Sequence, residues 1–406
     1  MSVFLAVVVT IWTGLHLYVG QRLITAAKLS EPYTKLGWAL LLAHLIFGMV
    51  MTALSRSSVA LPAHDLLNMV HYTLMGAFAL LFGLVVMRDL AELVLTIIQR
   101  VSARVAAPSA SSSTAPPSPR HDSPLLNRRS FITGASSAGL LVTTAAGASF
   151  GFREARRVPG VEHVKLKVPG LHPDLEGFRI VQISDLHIGP TLKRDFLHMV
   201  VDRVNELTPD VVALTGDMVD GHVQALRPEL ADLQRVMATH GTFYVLGNHE
   251  YYWDGGAWAI EGERMGMRTL LNAHQVVKHR GAKVLVAGVT DYSQGRRGGA
   301  AASPTEAIRG APPTDFRLLL AHQPRGTDEA AAVGFDLQLS GHTHGGQFFP
   351  WSFFVGLAHK FSRGLHKITA ESRNMWLYVS RGTGYWGPPL RLGAPSEITL
   401  IELERA

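Results

Sequence analysis

Three apolar stretches in the first hundred residues constrain this chain more than anything else in it: Val3 to Gly20, Leu36 to Leu54 and Leu66 to Met87. A helix needs about 20 predominantly apolar residues to cross the hydrocarbon layer, and each stretch roughly meets that length. Following one another with short loops between, they read as a membrane domain over 1–100 with three transmembrane helices, rather than as buried helices of a soluble fold. A mean hydropathy of +0.15 agrees with part of the chain sitting in lipid. Cysteine is absent, which excludes a disulfide framework and a thiolate metal site and leaves the compartment undecided.

Residues 101–127 are rich in Ser, Pro and Ala, bury too little apolar surface to repay ordering, and read as a flexible linker. Arg128-Arg129-Ser130-Phe131 then opens a weakly apolar run of Gly, Ala, Ser and Thr to Phe150. Segment 128–150 therefore reads as a twin-arginine-like export signal, with Ala146-Gly147-Ala148 as a small-residue cleavage site, or as a fourth transmembrane helix. Basic residues give the orientation. Arg22, Lys28 and Lys35 follow the first stretch, only Arg56 follows the second, and Arg88, Arg100, Arg104, Arg120, Arg128 and Arg129 follow the third. Positive loops stay cytoplasmic, so the fourth segment exits and the domain beyond it lies outside, at a bacterial inner membrane. Arg153, Arg156 and Arg157 run against that orientation.

From about 158 to 406 the pattern changes. Arg179–Ser184, Val211–Thr215, Thr242–Leu246, Lys283–Val289, Arg317–Ala321 and Leu337–Ser340 read as buried strands, with Leu377–Ser380 and Glu397–Leu403 near the end. Helices are expected at Arg194–Leu207, Pro228–Thr239 and Ala257–Met267, and the alternation implies a layered α/β domain. Polar residues able to hold a metal stand at the strand ends: Asp185 and His187, Asp217, Asn248 and His249, His322, then His342 and His344. Ligands of open α/β sheets bind beyond the carboxyl ends of strands. Phosphate-ester cleavage at neutral pH needs a nucleophile from water and relief of charge on the phosphoryl oxygens. Two cations roughly 3.5–4 Å apart supply both. Imidazole and carboxylate ligands suit Mn, Zn or Fe. His222, His240, His274 and His279 read as structural, and Asp220 and Glu250 as supporting groups.

In their order and context these five motifs resemble those of the calcineurin-like metallophosphoesterase superfamily, over roughly Val161 to Glu404. The closing stretch, from Tyr378-Val379-Ser380-Arg381-Gly382 through Pro388-Pro389-Leu390-Arg391, resembles its bacterial membrane-associated and twin-arginine-exported branch. The resemblance implies a four-layer α-β-β-α sandwich after the transmembrane helices, and hydrolysis of a phosphomonoester or phosphodiester; the membrane region beside it favours an envelope- or lipid-related substrate. It implies that Asp185, His187 and His344 bind one divalent ion, that Asn248, His322 and His342 bind a second, and that Asp217 bridges them. It makes His249 and Asn248 catalytic, with water activated between the ions as nucleophile. The expected partners are a phosphate-ester substrate and the lipid bilayer, with no nucleic acid evident. Alternatives are a pyrophosphatase of the UDP-diacylglucosamine type and a non-catalytic binding or sensor module. The Gly-rich insertion Ser293–Ala302 and the pair Tyr385-Trp386 bear on substrate choice. His16, His44, His64 and His71 in the membrane region are of the type that holds haem or relays protons.

Overall fold

The computed structural model describes residues 2–54, 63–105, 128–295, 298–369 and 374–406. Most of the expected linker, from 106 to 127, lies outside the described residues, as do Arg56 and the Arg296–Arg297 step of the Gly-rich insertion. The chain divides into two compact units, one of residues 1–62 and 73–149 and the other of 63–72 and 150–406.

The first unit is helical: α1 (Ser2–Gly20), α2 (Glu31–Leu54) and most of α3 (His64–Val105) and α4 (Arg128–Arg156). Among the described residues three helices are long and apolar enough to cross a membrane, over Ala6–Thr25, Glu31–Leu54 and His64–Arg104. The segment expected as an export signal or fourth span is helical in α4, but α4 is not among those three. His16 Nε2 on α1 and His44 Nδ1 on α2 lie 2.9 Å apart, and His16 Nδ1 lies 2.8 Å from the Trp12 carbonyl. Each ring thus meets the other's hydrogen-bonding need inside the apolar unit.

The second unit contains two six-stranded sheets. The first sheet runs β1 (Gly160–Val168), β12 (Glu397–Arg405), β2 (Arg179–Ile183), β3 (Val211–Leu214), β4 (Thr242–Tyr244) and β5 (Arg268–Thr269). The second runs β10 (Gly364–Thr369), β11 (Asn374–Val379), β9 (Leu337–Ser340), β8 (Phe316–Leu320), β7 (Ala282–Gly288) and β6 (Ala273–His279). β2 through β5 are parallel, as are β7, β8, β9 and β11, and both faces of such strands are covered, which explains their near-continuous apolar runs. Alternate residues divide between two layers of packing. Val211, Ala213, Phe243, Val284, Val286, Leu318 and Leu339 fill the space between the sheets. Val212 and Leu214 turn outward against α5 (Arg194–Glu206), whose Phe196, Leu197, Val200, Val201 and Val204 form one helical stripe. On the far side Leu285, Ala287 and Leu319 pack against α9 (Pro304–Ala307) and α10 (Thr327–Ala332). Helix, sheet, sheet, helix is the expected four-layer sandwich.

Shorter helices α6 (Val223–Leu226), α7 (Asn248–Trp253), α8 (Gly255–Arg264) and α11 (Trp351–Ala358) occupy the connections. The helix expected over Pro228–Thr239 is not formed; only a tight turn at Ala231–Arg235 appears there. Leu230 and Leu233 dock into the core three residues apart, and the Asp232 carboxylate is held by Arg194 and His198, so the segment closes as a single turn.

Candidate metal centre

Five parallel strands, β2, β3, β4, β8 and β9, end at turns that aim side chains into one hollow. Asp185 and His187 follow β2, Asp217 follows β3, Asn248 and His249 open α7 after β4, His322 follows β8, and His342 and His344 follow β9. Five of these, Asp185, His187, Asp217, His342 and His344, sit in the left-handed region, with φ between 50° and 71°. That region is uncommon for residues other than glycine and costs of order 1–3 kcal/mol each. Such a concentration at one place shows that the surrounding fold holds these turns against local preference. Crowding is extreme at Gly341, where a β-carbon would stand 2.2 Å from Asp185 Oδ2 and 1.9 Å from Ser184 Oγ.

Backbone and side-chain bonds fix the carboxylates. Asp185 accepts from the His342 N–H at 3.0 and 3.1 Å, and Asp217 Oδ1 accepts from the His249 N–H at 2.8 Å. Fully buried Glu250 takes the N–H groups of Asp217, Met218 and Gly247 at 3.0, 2.6 and 2.7 Å. Gln182 ties the two sheets together beneath, donating to the Ser340 carbonyl at 2.9 Å and to Thr215 Oγ1 at 2.8 Å.

The donor atoms fall into three overlapping groups: Asp185, His187 and His344; His187, Asp217 and His249; and Asp217, His322 and His342. Within each, the ligand atoms lie within 4.8 Å of one another. His187 Nε2 is 3.1 Å from His344 Nε2, and His344 Nε2 is 3.4 Å from Asp185 Oδ1. His322 Nε2 is 3.1 Å from both Asn248 Oδ1 and Asp217 Oδ2, and 3.2 Å from His342 Nδ1. His322 Nδ1 lies 2.8 Å from the Thr215 carbonyl and donates there, so Nε2 is the ring atom turned into the hollow. All seven residues expected as ligands converge, with His249 beside them.

The electrostatics fit a cation-binding hollow. Burial opposes charge on Asp217, yet the His322, His249 and His187 imidazoles hold its carboxyl well below the usual range. Burial, aided by neighbouring His322 and His359, pushes His342 down to about 3, so it stays neutral and able to ligate. Burial also opposes charge on His249, but Asp217 and Asp220 outweigh it and push the imidazole up to about 9.

Two residues do more than the sequence suggests. Asp220 accepts from both His187 Nδ1, at 3.1 Å, and His249 Nδ1, in a very short contact. Buried Arg391 ties down the loop, donating to the carbonyls of His344 at 3.0 Å, Arg381 at 2.7 Å and Gly384 at 2.5 Å. Of the histidines read as structural, His240 Nε2 and His279 Nδ1 lie 2.9 Å apart near Asp210, and His274 Nδ1 is 2.8 Å from the Ala307 carbonyl. Tyr252 and Trp386 both touch the His249 ring, at 5.0 and 5.5 Å between centroids, whereas Tyr385 is buried and points its hydroxyl at the Thr191 carbonyl.

A four-layer sandwich with an Asp/His/Asn hollow at the strand ends of both sheets defines a metal-site α/β protein. The calcineurin-like phosphoesterase family matches residues 178–346. A transmembrane protein with a metallophosphoesterase domain from Danio rerio is 36% identical over 274 residues, covering 66% of this chain and 62% of that protein. An uncharacterized metallophosphoesterase of Helicobacter pylori is 37% identical, covering 62% of this chain and 66% of its own length. One from Aquifex aeolicus is 32% identical, and this chain spans 85% of it and 56% of itself. The chain spans less than two thirds of the first two relatives. It belongs to the calcineurin-like phosphoesterase family, whose members' names imply a metal-dependent phosphoesterase.

Proposed function

We propose that the second unit hydrolyses phosphate monoesters or diesters with two divalent ions, Mn, Zn or Fe, held in this hollow. Asp185, His187 and His344 would hold one ion, and Asn248, His322 and His342 the other. The observation that carries the reading is Asp217, whose Oδ2 stands 3.1 Å from His322 Nε2 and 3.9 Å from His187 Nε2, so one carboxylate reaches both sets. The donor set fits: imidazole nitrogens, carboxylates and one amide oxygen converge. When bound, paired ions supply Lewis-acid relief of phosphoryl charge and an activated water. His249, aimed by Asp220, turns its Nε2 into the hollow, 3.9 Å from Asp217 Oδ2, where it would donate to a phosphoryl oxygen or the leaving group. Asn248 holds its amide oxygen toward the hollow beside it.

The three apolar helices anchor the chain in a bilayer. In this reading 1–100 is a membrane domain, 101–127 a linker, 128–150 an export-type segment and 158–406 the hydrolase. The arginine distribution supports a bacterial inner membrane with the hydrolase outside, and an envelope- or lipid-related substrate. The test is turnover of p-nitrophenyl phosphate and bis-p-nitrophenyl phosphate by the purified full chain, with Mn, Zn or chelator, beside Asp217→Asn and His249→Ala. Metal-dependent turnover lost in both variants is expected. A folded, metal-loaded protein that turns over neither compound would sink this reading in favour of a binding module.

A further inference from the structure

The helix α11 departs from the packing logic of the rest of the domain. Its eight residues, Trp-Ser-Phe-Phe-Val-Gly-Leu-Ala, are almost wholly apolar, yet none is buried. Leu357 is 85% exposed and Phe353 69%, with Trp351 and Phe354 more than half exposed. Apolar side chains grouped on one short surface helix mark a contact surface.

The helix is firmly seated on its inner side. A β-carbon on Gly346 would stand 2.4 Å from the Ser352 α-carbon, and the Ser352 N–H bonds the Phe348 carbonyl at 3.2 Å. At its end, His359 meets His342 ring to ring at 5.4 Å, so α11 runs directly out of the metal hollow. Gln347 joins it to the other side of the opening, donating to the Trp386 carbonyl and accepting the Trp386 N–H, both at 3.0 Å. The Trp386 ring is 54% exposed and touches His249. The mouth of the site is thus rimmed by exposed aromatic and aliphatic groups, and exposed Lys360 and Arg363 follow α11 directly.

We propose that α11 and Trp386 seat in the headgroup layer of the bilayer, and that the phosphate ester reaching the metal hollow is carried on a membrane lipid. Trp and Phe on a short amphiphilic surface with basic residues beside it is the composition of an interfacial element. Lys360 and Arg363 complement anionic headgroups. The same chain carries helices able to span a membrane, so a bilayer is a surface this protein has at hand. The lipid assignment rests on the hydrolase reading; the docking does not.

The chain has no cysteine, so single-cysteine variants report one place each. Full-length Leu357→Cys, and Ile260→Cys as a reference on exposed α8, would be labelled with an environment-sensitive nitrobenzoxadiazole dye. Each is reconstituted into phosphatidylcholine/phosphatidylglycerol vesicles containing doxyl-labelled lipid. Quenching at 357 several-fold greater than at 260 is expected. Equal quenching overturns the docking, and so does blue-shifted emission at 357 without quenching, which would mean that a second copy or another protein covers it. For the lipid, the double variant Phe353→Ser, Leu357→Ser should lose at least tenfold in turnover of vesicle-borne phosphatidic acid relative to soluble p-nitrophenyl phosphate. An unchanged ratio overturns the lipid assignment. A wild-type chain that turns over neither compound counts against the hydrolase reading, with the docking decided by the quenching alone.

Discussion

Replacing Asp220 by Asn probes how the hollow is organised without replacing any proposed ligand. Its two carboxylate oxygens each receive one imidazole, Oδ2 from His187 at 3.1 Å and Oδ1 from His249. Both rings therefore donate from Nδ1, and His187 turns Nε2 to the cluster. An Asn side chain offers one acceptor and one donor in the same space. If the amide oxygen faces His249, the amide N–H confronts His187 Nδ1 and drives that ring's proton to Nε2, the atom that must ligate. If the amide turns over, His187 survives and His249 loses the acceptor that aims it. Removing a group that orients a metal-bound histidine typically weakens metal binding or activity about 10–100-fold. That corresponds to about 1.4–2.8 kcal/mol. The assay is Zn or Mn titration of the stripped full chain against a chromophoric chelator, with steady-state turnover on the same samples and circular dichroism to verify the fold. Metal affinity and turnover both within twofold of wild type, in a folded protein, would refute the tautomer argument.

Glu250→Gln keeps the shape but leaves one of three buried N–H groups facing an amide N–H, at a cost of about 1–3 kcal/mol. At about 2–4 °C per kcal/mol for a domain of this size, the midpoint of thermal unfolding should fall by about 2–12 °C; a fall below about 1 °C would contradict it. Gly341→Ala places a β-carbon 2.2 Å from Asp185 Oδ2 and must displace that carboxylate. Metal content by elemental analysis should drop below two ions per chain, and turnover should fall on the order of 100-fold, as for misplacement by about 1 Å. Chelation should abolish turnover and lower thermal stability. Each ion at 100 times its dissociation constant contributes about 2.7 kcal/mol, so two contribute about 5.4 kcal/mol; adding Zn or Mn back should raise the midpoint by about 11–22 °C, and no shift would argue against a built site.

The chemistry of the hollow was legible because its residues directly follow apolar runs that can only be buried strands. Which ligands share an ion was carried by resemblance alone, since it depends on β2, β3, β4, β8 and β9 ending at one place, and adjacency of strands leaves no mark on local sequence. Asp220 was visible three residues after Asp217, but its two-sided contact arises only where the β2 and β3 turns meet. The edge strands β6 and β10 escaped notice because they are largely exposed and lack a clean apolar run. Pro228–Thr239 looked helical because it carries leucines at helical spacing, and a single docked turn uses the same spacing. The apolar run of α11 had no distinguishing pattern, because exposure is a property of its surroundings.

Strand β12 lies between β1 and β2, and Gly160 pairs with Glu397. The first sheet therefore cannot close until the last of its strands has left the ribosome. Until then β1 has no neighbour and β2 has one bare edge. Contacts between such distant parts of the chain make folding slow. During that interval the first sheet is open, with β1 unpaired and one edge of β2 bare. Docking of β12 between them then acts as the closing step, so the sheet that carries Asp185 and Asp217 at its strand ends is braced only once residues more than two hundred positions apart have met.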